Sequence, residues 1–148
     1  MIYLDANVFV YAFSKPKTEQ NLSEKIKWCK KEAAKIINDI DNEKEQYYIS
    51  LIQLSEIVNI LKYAMSWKEL REFILGLISN DKVKILDVYK NLYINAVDKM
   101  GDYNMDSNDI SAYLIMKKNN IKKIYTFDKH FRDFSDIECL PKIPDNIK

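Results

Sequence analysis

Four acidic residues of this chain stand at or near points where a predicted strand gives way to a predicted helix: Asp5, Glu56, Asp109 and Asp128. An isolated carboxylate is costly to bury, so a charge at the end of a buried strand normally finds a partner or is neutralised. The carboxyl ends of strands are also where open α/β sheets bind their ligands. We therefore ask whether these four acids meet.

Carboxylate oxygens are ligands for hard divalent cations. Mg²⁺ usually keeps several waters and is held by a few carboxylates together with phosphate oxygens of the substrate. Two such ions about 3.5–4 Å apart can stabilise both the attacking and the leaving oxygen of a phosphodiester displacement. Four acids at one edge of a sheet would repel one another, and this repulsion requires a cation or raised pKa values. A shared metal site is the interpretation that explains all four acids together.

Each acid alone also has a structural explanation. Asp5 and Asp109 can cap or begin a helix, where the helix dipole favours an acid by about 0.3–1 kcal/mol. Glu56 alone could form a salt bridge at the rim, and Asp128 alone is a common turn residue. These explanations must treat each acid separately, so the metal site is the stronger hypothesis.

Short apolar strands alternate with helices along the whole chain. The predicted strands cover residues 1–4, 47–50, 83–86, 123–127 and, at an edge of the sheet, 137–140. The predicted helices cover residues 8–13, 22–40, 56–65, 67–77, 89–100 and 108–118, with a loop around residues 14–17. Strands separated by helices imply right-handed crossovers. We expect a single three-layer α/β/α domain over residues 1–148, with a mainly parallel central sheet of four or five strands.

Several residues mark where the helices begin and end. Ser66 and Glu69 have the spacing of a capping box at the start of the fourth helix. Gly101 is expected to terminate the helix that begins at residue 89. Asp106 or Ser107 is expected to cap the helix that contains Asp109.

Composition excludes several classes of protein. Two glycines are too few for phosphate-binding loops of the P-loop or dinucleotide type. The two distant cysteines, Cys29 and Cys139, predict reduced thiols and do not suffice for a cysteine-rich zinc site. The sole histidine, His130, is expected on a helix surface rather than in a zinc site. The N-terminal apolar run is short and lacks the basic leader of a signal peptide, and no stretch reaches transmembrane length. We therefore expect a cytoplasmic protein.

Four motifs in order along the chain resemble those of the PIN domain family, the nuclease fold of many toxin–antitoxin ribonucleases. They occupy residues 2–8, 49–57, 106–112 and 124–131, and each contains one of the four acids. The resemblance extends from residue 2 to about residue 134. It implies a PIN-like fold and a Mg²⁺- or Mn²⁺-dependent endoribonuclease of the VapC-like kind, in which an activated water attacks phosphorus in line.

The resemblance also implies roles for individual acids. Asp5, Glu56, Asp109 and Asp128 would be the catalytic, metal-binding residues. Asp5 and Asp109 are expected to bind metal directly, whereas Glu56 and Asp128 would complete the coordination or orient the water.

Further residues are expected to support the site or to bind substrate. Asn7 and Thr126 would be polar supports, and Asp106 would cap its helix or add a fifth carboxylate. Lys129 and Arg132, close in sequence to Asp128, are the expected substrate contacts. The resemblance suggests RNA as the substrate, a homodimer, and a small antitoxin that blocks the acidic pocket.

Three alternatives stay open or are disfavoured at this point. A phosphotransferase of the haloacid dehalogenase type needs a second Asp two residues after the first, and this chain has Asn7 there. A non-catalytic PIN-like module that binds RNA or protein is disfavoured by the four intact acids. A housekeeping RNA-processing nuclease would have the same residues as a toxin.

Overall fold

The computed structural model describes residues 1–14 and 22–147, and over these residues five parallel strands form one sheet in the order β3-β2-β1-β4-β5. The strands are β1 (Ile2–Leu4), β2 (Tyr47–Ser50), β3 (Val83–Leu86), β4 (Lys123–Tyr125) and β5 (Glu138–Leu140). The fold class is therefore the one predicted, with β5 at an edge of the sheet. Most of the loop predicted around residues 14–17 lies outside the described residues.

Helices follow the strands as the alternating pattern predicts. They are α1 (Ala6–Phe13), α2 (Glu24–Asn42), α3 (Leu51–Leu61), α4 (Trp67–Ile78), α5 (Lys90–Asp98), α6 (Met100–Tyr103) and α7 (Ser107–Lys118). Two 3-10 helices, Lys129–Asp133 and Asp145–Ile147, lie near the C-terminus. Among the described residues, no helix is long and apolar enough to cross a membrane.

Alternation along β1 shows how the helices cover both faces of the sheet. Ile2 and Leu4 pack in one buried cluster with side chains of α1, α2, α3 and α4. Tyr3, between them, packs in a second cluster with side chains of α5 and α7. Successive strand side chains point to opposite faces, so the two clusters are the two cores of a three-layer sandwich.

Strand register brings the ends of β1 and β4 together. Leu4 pairs with Tyr125 at the last position of both strands. The backbone N–H of Asp5 then donates to the carbonyl of Tyr125 at 3.0 Å. The next residues on the two strands, Asp5 and Thr126, therefore emerge side by side at the carboxyl edge of the sheet.

The ends of some helices differ from the sequence prediction. The capping box of Ser66 and Glu69 is present at the start of α4. Gly101 does not terminate its helix: α5 ends at Asp98, and Gly101 lies inside α6. The left-handed residue that ends α6 is Asn104, with φ of 52°, a conformation that asparagine tolerates better than most residues.

Candidate metal centre

One cleft at the carboxyl edge of the sheet contains all four predicted acids. Its volume is about 380 Å³. Five carboxylates line it, from Asp5, Glu56, Asp106, Asp109 and Asp128. The remaining lining residues come mainly from α1 and α3: Ala6, Asn7, Val10, Tyr11, Asn59 and Ile60. The fold thus brings the four acids together, and their role as metal ligands remains a prediction.

Asp5 is the most deeply buried of these acids, with 6% of its surface exposed. Although it occupies the N-cap position of α1, its side chain makes no capping hydrogen bond. Its Oδ2 atom instead accepts a 2.7 Å hydrogen bond from the hydroxyl of Thr126. Burial raises the pKa of Asp5 to about 7, against the lowering effect of Thr126 and with further raising by Glu56 and Asp128. Helix capping therefore does not account for this carboxylate.

Thr126 and Asn7 connect the end of β4 to the start of α1. The Thr126 hydroxyl accepts from the backbone N–H of Asp128 at 3.0 Å and from the side-chain amide of Asn7 at 3.5 Å. The carbonyl oxygen of that amide accepts from the backbone N–H of Phe127 at 3.3 Å. These hydrogen bonds connect Asn7 and Thr126 to Asp5 and Asp128, and their supporting role at a metal site stays a prediction.

Asp109 lies half-buried in the first turn of α7. Burial raises its pKa to about 8, and the charges of Asp106, Asp5, Asp128 and Glu56 raise it further. The helix cap is supplied by Asp106, whose carboxylate accepts from the backbone N–H of Asp109 at 2.8 Å. Asp106 thus caps α7 while it lines the cleft, and Asp109 is left free of capping.

Glu56 lies on α3 and has a partner that the sequence did not indicate. The side-chain amide of Asn108 donates a 2.7 Å hydrogen bond to Glu56 Oε1. Burial raises the pKa of Glu56; the Asn108 hydrogen bond lowers it, and the charge of Asp106 raises it. The one feature of the sequence that could have identified Asn108 as a site residue is that it directly precedes Asp109.

Two other cleft residues were also missed, although helical spacing could have found them. Tyr11 follows Asn7 by four residues on α1, and Asn59 follows Glu56 by three residues on α3. Residues three or four apart share one face of a helix. Tyr11 places an aromatic ring and Asn59 an amide at the wall of the cleft.

Asp128 is in contact with His130. Asp128 Oδ1 accepts from the backbone N–H of His130 at 2.9 Å, and the Nδ1 atom of the His130 ring lies 3.2 Å from the same oxygen. Ligand atoms of Asp109, Asp128 and His130 all lie within 4.8 Å of one another. His130 is exposed on a short helix, as expected, but its ring turns toward the acids.

Arg132 and Lys129 do not line the acidic cleft, and their role in binding substrate stays a prediction. Arg132 donates from Nη2 to the carbonyl of Pro141 at 3.2 Å and lines a separate cavity with Glu138 and Cys139. Lys129 is exposed and lines neither the acidic cleft nor the cavity of Arg132. Side chains three residues apart in a 3-10 helix lie on the same face, so Lys129 and Arg132 share a face. His130 lies on a different one.

The donor set fits a hard divalent cation. Carboxylates supply the charged oxygen ligands that Mg²⁺ and Mn²⁺ prefer. Within residues 1–14 and 22–147, no lysine or arginine forms an ion pair with Asp5, Glu56 or Asp109. Burial and mutual repulsion raise the pKa values of Asp5 and Asp109. A cation would relieve the same repulsion.

Comparison with known proteins places the chain beside one family of sequences. The family model of the PIN domain matches residues 2–137. Curated proteins compared by sequence give no match.

Solved structures share the fold over almost the whole chain. VapC20 of Mycobacterium tuberculosis, described as a toxin that cleaves the sarcin–ricin loop, has a TM-score of 0.70 at 16% identity, covering 95% of this chain and 100% of that one. VapBC2 of Rickettsia felis, bound to a DNA fragment from its promoter, has a TM-score of 0.56 at 17% identity, with coverages of 94% and 97%. FitAcB of Neisseria gonorrhoeae has a TM-score of 0.58 at 14% identity, with coverages of 95% and 97%.

Proposed function

The chain belongs to the PIN domain family, whose members are nucleases, and we propose that it is a divalent-metal-dependent endoribonuclease that acts as the toxin of a toxin–antitoxin pair. One observation carries the proposal: five carboxylates line one cleft at the carboxyl edge of a parallel sheet. Two of them have pKa values raised to about 7 and about 8. We further propose that residues 1–148 form a single PIN-like domain.

The cofactor of this proposal is Mg²⁺ or Mn²⁺. Asp5 and Asp109 would bind it directly, and Glu56 and Asp128 would complete its coordination or orient the attacking water. When bound, one or two such ions lower the pKa of that water and stabilise the negative charge on the attacking and leaving oxygens.

The chain itself supplies orientation. Thr126 fixes one oxygen of Asp5 by its 2.7 Å hydrogen bond, and Asn108 fixes one oxygen of Glu56 in the same way. Partners of this kind hold a ligand side chain in one rotamer. Less side-chain entropy is therefore lost when metal and substrate bind. Tyr11, at the cleft wall, offers a ring on which an unpaired RNA base can stack.

The proposed partners are RNA, a small antitoxin and a second copy of the chain. VapC20 is described as a toxin, and this supports the antitoxin as a partner. A homodimer is supported by large apolar side chains that α3, α5 and the segment before α4 expose: Leu51, Ile60, Tyr63, Ile94 and Val97. We place the protein in the cytoplasm, where its two free, buried cysteines, Cys29 and Cys139, would stay reduced.

An RNA cleavage assay tests the proposal. We expect labelled RNA to be cut in the presence of Mg²⁺ or Mn²⁺, and chelation to stop the reaction. Asp5→Asn and Asp109→Asn should abolish cleavage, whereas Asp133→Asn, which removes an exposed carboxylate outside the cleft, should cleave like the wild type.

Two results would contradict the proposal in different ways. RNA that is bound but left intact by the wild-type protein would indicate a non-catalytic module. Undiminished cleavage by Asp5→Asn would show that the reaction occurs elsewhere.

A toxin and a housekeeping nuclease differ in whether growth arrest follows expression and whether a co-expressed small protein relieves it.

A further inference from the structure

His130 borders the acid group at a second cleft, which Glu56 does not line. Its ring nitrogen Nδ1 lies 3.2 Å from Asp128 Oδ1. The backbone of His130 is fixed locally, because Asp128 caps the short helix Lys129–Asp133 and accepts the backbone N–H of His130 through the same oxygen. From this backbone the exposed imidazole turns Nδ1 toward the carboxylate of Asp128.

Three ligand atoms lie near enough to one another to be considered for a single metal ion. Ligand atoms of Asp109, Asp128 and His130 lie within 4.8 Å of one another. An octahedral ion with ligands at about 2.1 Å places adjacent ligands ~3.0 Å apart and opposite ligands ~4.2 Å apart. The 3.2 Å separation of Nδ1 and Oδ1 fits two neighbouring ligands as well as a hydrogen bond, and the group must contract from its 4.8 Å limit to bind one ion.

Space for the remaining ligands is open on this side. A second cleft, of about 620 Å³, is lined by Asp106, Asp109, Asp128 and His130, together with Asn104 and Met105. The carboxylates of Asp109 and Asp128 border both this cleft and the first one. Waters or a phosphate oxygen can reach an ion held there from the solvent.

Resting on the proposed nuclease function, we propose that His130 is a nitrogen ligand of the metal centre, and that Asp109, Asp128 and His130 form a subsite that prefers Mn²⁺ to Mg²⁺. Imidazole suits the first-row transition metals, whereas Mg²⁺ takes oxygen ligands almost entirely. The part of the centre formed by Asp5 and Glu56 offers only oxygen ligands and has no preference for Mn²⁺ over Mg²⁺.

A purely structural role for His130 makes a different prediction. If the imidazole only donates a hydrogen bond to Asp128, it acts as a positioning residue and never contacts the ion. Substitution of His130 would then lower the affinity for metal even though no nitrogen atom binds the ion. A direct signal from the nitrogen nucleus distinguishes the two roles.

Pulsed electron paramagnetic resonance of bound Mn²⁺ supplies that signal. The chain has one histidine, so a ¹⁴N coupling of imidazole type can be assigned to His130 without isotopic labelling, provided that the protein carries no histidine tag. We expect the coupling in the wild-type protein and its loss in His130→Gln. That substitution keeps the backbone N–H that binds Asp128.

Binding isotherms complete the experiment. His130→Gln should weaken Mn²⁺ binding by about tenfold or more and Mg²⁺ binding by less. Asp133→Asn, on the same short helix but outside both clefts, should retain the affinity and the ¹⁴N coupling.

Each other outcome overturns a stated part of the proposal. Mn²⁺ bound at the acids without a ¹⁴N coupling would overturn the role of His130 and leave the metal centre intact. An equal loss of Mn²⁺ and Mg²⁺ affinity in His130→Gln would overturn the preference for Mn²⁺. A wild-type protein that binds no Mn²⁺ would overturn both this inference and the proposed function.

Discussion

The hydroxyl of Thr126 donates a 2.7 Å hydrogen bond to Oδ2 of Asp5, although 121 residues separate the two in sequence. Parallel pairing of β1 with β4 brings them together, because Leu4 and Tyr125 are register partners. The same hydroxyl accepts the backbone N–H of Asp128. One small side chain thus orients two carboxylates of the cleft.

We expect Thr126→Val to weaken metal binding and RNA cleavage by about 10–100-fold, the usual effect of removing a partner that orients a ligand. Valine keeps the shape of threonine but can neither donate to Asp5 nor accept from Asp128. Thr126→Ser keeps the hydroxyl and should retain most of the affinity. Calorimetry with Mn²⁺ checks both variants, and equal affinities for Val and Ser would contradict the role of the hydroxyl.

Stability in the absence of metal should fall as pH rises from about 4 to about 8. Burial is the main reason why the pKa values of Asp5 and Asp109 lie at about 7 and about 8, well above the ordinary 3.8 of an aspartate. The folded protein then binds protons more tightly than the unfolded chain, so the stabilisation is complete near pH 4 and is lost as pH rises through the folded values. Thermal unfolding with a chelator measures this.

Metal should reverse the pH trend. A divalent cation can replace the protons, so Mg²⁺ or Mn²⁺ should raise the melting temperature more at pH 8 than at pH 5.5. The double variant Asp5→Asn, Asp109→Asn lacks both carboxylates and should show a smaller slope, left by Glu56, and little of the metal effect. A slope of unchanged size in that variant would contradict the assignment of the two pKa values.

Asn108→Ala should reduce cleavage by about 10–100-fold while the fold is retained. The substitution removes the amide that donates to Glu56 at 2.7 Å, and it should also raise the pKa of Glu56, which that hydrogen bond lowers. Asn95→Ala, at an exposed position of α5, is the matched control. Steady-state cleavage rates compare the two, and equal rates would show that Glu56 needs no such support.

Substitutions of Asp106 separate its cap from its charge. Asp106→Ala should lower the free energy of unfolding by about 0.5–2 kcal/mol, whereas Asp106→Ser keeps a capping oxygen and should lower it less. Both variants should lower the pKa of Asp109, because the charge of Asp106 raises it. Carboxyl ¹³C titration by nuclear magnetic resonance reads that pKa, and no change would show that the two carboxylates do not interact.

Much of the fold could be predicted from local patterns. β2 and β3 have the predicted limits, Tyr47–Ser50 and Val83–Leu86, because short apolar runs between helical segments leave few alternatives. The convergence of the four acids followed from the same pattern, since parallel strands bring their carboxyl ends to one edge of the sheet.

The remainder depends on directions and contacts that sequence patterns do not contain. Asn108 reaches Glu56 across 52 residues, although α3 and α7 cover opposite faces of the sheet, and only the assembled fold decides that contact. Arg132 and His130 are two residues apart, yet a 3-10 helix turns one toward Pro141 and the other toward Asp128. Proximity in sequence to an acid of the site therefore does not show which side chain turns toward it.

A crystal structure with Mn²⁺ tests the shared metal centre most directly, because anomalous scattering locates the ion independently of the protein. We expect a peak in the cleft, with carboxylate oxygens of Asp5 and Asp109 within about 2.5 Å and Glu56 and Asp128 bordering the same ion or its waters. A peak remote from all four carboxylates, or no peak at saturating Mn²⁺ above pH 7, would contradict the central claim that these acids form one metal centre.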